Sequence, residues 1–97
     1  MDERLIKQWK VAEVLLRQAA TQIDAPRLLV DFERLIENKE PGLALAELTR
    51  VGDDRTMGPD YWRVLKKAAE VLGLAAMKKQ LLRRFQNART SVRKRDD

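Results

Sequence analysis

The chain has 97 residues, 44% of them apolar and 36% charged, with twenty Lys and Arg against fifteen Asp and Glu for a net +5, and neither cysteine nor histidine. That length and apolar fraction suit one domain with its own core and exclude a disordered tail. The missing residue types exclude a zinc site of the usual N/S kind, a thiolate nucleophile and an imidazole base, and four glycines at 42, 52, 58 and 73 spell no phosphate loop.

In chain order, Leu5, Ile6, Trp9, Ala12, Leu15, Leu16, Ala19, Ala20 and Ile23 recur at three- and four-residue steps and predict an amphipathic helix of about five turns. Asp2 and Glu3 suit its N-terminus, and Trp9 is expected in the core. Asp24 caps a second predicted helix with Pro26 in its first turn. Its stripe is Leu28, Leu29, Phe32, Leu35 and Ile36, and it ends between Asn38 and Glu40, ahead of Pro41.

A short third helix follows from Pro41, with Leu43, Leu45, Leu48 and Val51 inside it and Gly52 as a left-handed stop. After a polar loop, Pro59 and Asp60 open a fourth helix carrying Leu65, Ala68, Ala69 and Leu72 and closed by Gly73. Adjacent helical positions point about 100° apart, so Tyr61 and Trp62 are not both expected to be fully buried, and one belongs at a rim or interface. A fifth helix from about Ala75 carries Met77, Leu81, Leu82, Phe85 and Ala88 and frays into TSVRKRDD, whose Ser91 is the only serine of the chain.

The expected fold is therefore all-α. Five amphipathic helices joined by short turns form a compact bundle over residues 1–88, with residues 89–97 as a basic, flexible tail. No apolar run approaches the ~18 residues of a membrane span, and the N-terminus MDERLIKQWK is too charged for a signal peptide. The expectation is a cytoplasmic protein without membrane, metal or cofactor and without enzymatic activity.

The net charge conceals a division along the chain. Residues 23–62 have five basic and nine acidic side chains, whereas residues 63–95 have eleven basic ones and Glu70 alone. In the acidic middle, Glu33, Glu37 and Glu40 fall at helical steps on one predicted face of the second helix, either as a solvated face or as a surface matched to a basic partner. In the basic third, AAEVLGLAAMKKQLLRRF is similar to a helix-turn-helix with Gly73 at the turn. Lys78, Lys79, Arg83 and Arg84 are then the candidate nucleic-acid contacts. That motif places a buried aliphatic six residues after the glycine, where this chain has Lys79. Plain helical-hairpin packing explains the same residues.

Residues 28–77 as a whole resemble another group. The run Asn38, Glu40, Gly42, Leu43, Ala44, Leu45, Glu47, Leu48, followed by an aromatic helix ending in Leu72, Gly73, Leu74, is similar to the small helical immunity proteins of bacterial polymorphic toxin and contact-dependent growth inhibition systems, especially the Maf-type immunity family. The resemblance implies a protein that binds and blocks a cognate toxin C-terminal domain, often a nuclease, by occupancy rather than chemistry. Together with the acidic middle it makes Glu37, Glu40, Glu47, Asp53 and Asp54 the expected charged contacts and Tyr61 the expected anchor. The oligomeric state stays open.

Overall fold

A computed structural model describes residues 3–95, with side chains from 3 to 90; Met1, Asp2, Asp96, Asp97 and the side chains of 91–95 lie outside the described residues. Five α-helices follow one another, with no strand among the described residues: α1 (Glu3–Ala20), α2 (Val30–Glu37), α3 (Pro41–Asp53), α4 (Pro59–Val71) and α5 (Ala75–Arg95). The expected all-α bundle is what forms. Helix α4 lies centrally, against α1, α3 and α5, and α2 folds onto α3.

The core follows the apolar stripes. Leu16 and Ala19 of α1, Phe32 of α2, Leu45 and Leu48 of α3, Leu65 and Ala68 of α4 and Leu81 of α5 are all fully buried. Ile23 lies beyond the end of α1 yet is buried, so the α1 stripe continues into the connecting turn. At the other end of α1 the stripe runs ahead of the core. Its first buried side chain is Ala12; Leu5 is 44% exposed and Trp9 only half-buried, against the expectation that Trp9 is a core residue.

Three further departures concern single elements. The segment expected to start the second helix is a 3₁₀ turn over Pro26–Leu29, with the Leu28 amide bonded to the Ala25 carbonyl, and α2 proper begins at Val30. That tighter turn rotates Leu28 off the α-helical stripe and leaves it partly exposed. Leu43, in the first turn of α3, faces outward and is 56% exposed. Finally, α5 passes the expected boundary at residue 88 and stays helical to Arg95, so the basic segment 89–95 extends a helix. At about 1.5 Å per residue α5 outruns the 13-residue α4 by roughly 12 Å, in keeping with a longest dimension of 53 Å.

Two helix ends close with the same turn. After α4, the Leu74 amide donates to the Ala69 carbonyl and the Gly73 amide to that of Glu70, with Gly73 left-handed at φ 73°. After α2, the Glu40 amide donates to Leu35 and the Lys39 amide to Ile36, but the left-handed position, φ 58°, is held by Lys39. A side chain there costs energy that glycine avoids. Lys39→Gly is expected to raise stability by about 0.5–1 kcal/mol, seen as a rise of several degrees in thermal melts. Destabilisation, the usual result of adding a glycine, would contradict this reading of the turn.

Candidate functional site

The acidic residues expected to share one surface are divided by the fold. Helix α2 ends at Glu37, and Glu40 lies beyond the turn as the residue preceding α3, so Glu33, Glu37 and Glu40 do not share a helix face. Each of the others has an arginine. Glu47, with only 15% of its side chain exposed, pairs with Arg50, which also reaches Asp54 at 3.7 Å. The Glu47 hydrogen bond, with its charge, raises the Arg50 pKa above the ordinary value. Glu33 pairs with Arg17 at 3.1 Å. Glu37 and Glu40 are exposed, and among the described residues neither has an ion-pair partner.

Asp53 makes a bidentate pair between two helices. The Arg84 Nε and Nη2 groups donate to its two carboxylate oxygens, both at 2.8 Å, joining the end of α3 to the middle of α5. The hydrogen bond to Asp53 raises the Arg84 pKa, while partial burial opposes it. The guanidinium lies 5.7 Å from the centre of the Trp62 ring, and Trp62 meets Tyr61 edge to face at 5.1 Å and 86°.

Both aromatic rings are interior, Tyr61 fully buried and Trp62 5% exposed, which corrects the expectation that one sits at a rim and removes Tyr61 as a surface anchor. They fit together because the space beside them is glycine. A Cβ on Gly52 would sit 2.6 Å from Tyr61 Cε2 and 2.7 Å from Trp62 Cη2. Gly52 is thus a helical residue of α3 that admits α4 at close range, and the left-handed stop expected there does not occur. The Tyr61 hydroxyl donates to the Leu48 carbonyl at 2.5 Å, so its polar end is satisfied without water.

The alternative basic set is also divided. Lys78 reaches Glu70 at 3.5 Å, and Arg84 is engaged with Asp53. Lys79 is exposed, so the position that a helix-turn-helix would lock into its core is at the surface. Helix α5 instead turns Met77, Leu81, Phe85 and Ala88 inward. Lys79, Arg83 and Arg84 do share an open cleft of about 440 Å³ with Gln80 and Asn87.

A feature absent from the sequence expectations is a pocket of about 220 Å³ where the early turns of α1 face the α2–α3 junction. Ile6, Trp9, Ile36 and Pro41 provide its apolar lining, and Lys10, Glu13 and Lys39 its polar one. The only trace in the sequence is the excess of apolar residues before Ala12. Periodicity shows that these share a face but not that the face outruns its cover.

Compared with protein-family models, curated proteins and solved structures, the chain finds no significant match. No helix among the described residues is long and apolar enough to cross a membrane.

Proposed function

We propose that the chain is an immunity protein, a helical domain that neutralises a cognate bacterial toxin domain, most simply a nuclease, by covering its active site or substrate path. The contact surface is the α2–α3 junction. One observation carries this reading: Glu37 and Glu40 flank a hydrogen-bonded turn, exposed and without ion-pair partners among the described residues, with the exposed Leu43 one turn further on. They fall within or beside the run that resembles immunity proteins. Glu37 also closes α2 at its C-terminus, where the helix dipole disfavours an acid, so stability is no reason for it. A basic cleft that binds nucleic acid is the matching surface on the partner, and complementary potentials steer such encounters.

Neutralisation without catalysis places the protein in the cytoplasm, where a delivered nuclease meets its substrate, and requires no cofactor. The test is co-expression with a candidate toxin C-terminal domain taken from a neighbouring gene. The proposal expects growth to be restored and a stable complex to co-purify. Continued growth arrest with the chain present in soluble form would refute it.

The shared cleft of Lys79 and Arg83 favours a second reading, as a nucleic-acid-binding module. Of the four basic residues Lys78, Lys79, Arg83 and Arg84, Lys79 and Arg83 have no ion-pair partner among the described residues, and two such phosphate contacts make log affinity for duplex DNA fall with log salt at a slope of about −2. Lys79→Ala with Arg83→Ala should abolish that binding. Absence of binding at low salt would remove this reading.

A further inference from the structure

The pocket between α1 and the α2–α3 junction has a size and a charge that together select a ligand. Its volume, about 220 Å³, exceeds the roughly 150 Å³ cavity that accommodates a benzene ring and falls below the usual range for larger ligands. Trp9, Ile6, Ile36 and Pro41 supply surfaces suited to one aromatic ring, with the half-buried indole available for stacking.

The polar lining is unbalanced. Glu13 lies 3.4 Å from the Arg17 guanidinium, which it shares with Glu33, so one partly compensated carboxylate faces two ammonium groups in the lining. Lys10 and Lys39 line the same pocket and, among the described residues, have no carboxylate partner. Lys39 is moreover the one described non-glycine residue with a positive φ, 58°, at a turn where glycine would be easier. Strain of that kind persists where the surrounding structure enforces it, and often marks a ligand site.

We infer that this pocket binds a free small aromatic carboxylate, with the ring between Trp9 and Pro41 and the carboxylate between the ammonium groups of Lys10 and Lys39. The inference does not rest on the toxin contact proposed above, although Lys39 and Pro41 belong to the same α2–α3 junction.

The experiment is a proton–nitrogen NMR titration of the full chain with three probes of the same shape: 3-phenylpropionate, 3-phenylpropanol and 3-phenylpropylamine. The two indole resonances are assigned through their backbone connectivity. The expected result is movement of the Trp9 indole signal with that of the buried Trp62 unchanged. The carboxylate should bind about fivefold more tightly than the alcohol, and the amine most weakly. Lys10→Gln with Lys39→Gln, both at exposed positions, should bring carboxylate and alcohol to within about twofold while leaving the fold intact. Equal affinity for all three probes, no movement of Trp9 at about 10 mM probe, or a response centred on Trp62 would each overturn the inference.

Discussion

Gly52→Ala is expected to destabilise the protein by about 1–3 kcal/mol, although the substitution lies inside a helix, where alanine is intrinsically better by up to about 1 kcal/mol. The sign is decided by packing. The added methyl would stand 2.6 Å from Tyr61 and 2.7 Å from Trp62, two rings without room to retreat. Tyr61 is fixed by its hydroxyl to Leu48, and Trp62 is held between Tyr61 and the Arg84 guanidinium. Relief would require α4 to move away from α3, disturbing the central helix of the bundle. In a domain of this size the cost corresponds to a fall in Tm of about 5–20 °C. Gly73→Ala makes a useful comparison, since nothing lies within 4 Å of a Cβ there and its cost comes only from the left-handed backbone. An unchanged or raised Tm for Gly52→Ala would show that α3 and α4 are not in this close contact.

The second large effect is alkaline. Burial pushes the Tyr61 phenol well above its ordinary pKa, and the Asp53 charge adds to the rise. The neutral phenol is the form that the fold accepts. The stability associated with it is complete below the unfolded value of about 10 and is lost as pH rises above that value, because the unfolded chain releases the proton first. The loss approaches about 1.4 kcal/mol for each pH unit above that point until the folded phenol also ionises. Tyr61 is the only tyrosine in the chain, so tyrosinate absorbance reports this group alone. It should appear together with the loss of helical circular dichroism, and Tyr61→Phe should flatten the stability profile above pH 10 even if it is less stable at neutrality. Tyrosinate forming reversibly near pH 10 in a chain that stays helical would contradict the burial.

Much of the architecture was open to a reading of the sequence, and the limits of that reading are physical. Pro41 and Pro59 mark helix starts and Gly73 a helix end because the covalent geometry of these residues acts locally. The role of Gly52 is not legible along the chain, because a glycine needed for an inter-helix approach looks the same in sequence as one needed for a left-handed turn. Tyr61 and Trp62 fill two directions at once because α4 is enclosed by three neighbours, and a one-sided stripe cannot anticipate a central helix.

The candidate site was less accessible still. Along the chain, Asp53 and Arg84 belong to an acidic middle and a basic third, and they suggested two opposed faces. In the fold they are bidentate partners 2.8 Å apart, so each removes the other from both proposed surfaces. What survives of the acidic set is Glu37 and Glu40, carried to the α2–α3 junction by a turn whose left-handed Lys39 no periodicity argument reveals.

That junction is the central claim. The most direct measurement of the proposed contact is the affinity of a purified candidate toxin domain, one that the chain neutralises in co-expression, for the wild-type chain and for Glu37→Lys with Glu40→Lys, alongside the Tm of both chains. Both side chains are exposed. Lysine suits the α2 C-terminus better and the α3 N-terminus slightly worse, so the two effects on stability should nearly cancel. An unchanged Tm is expected, with binding weakened about tenfold or more, mostly through slower association at low salt. Undiminished affinity in the folded double variant would contradict the proposed contact.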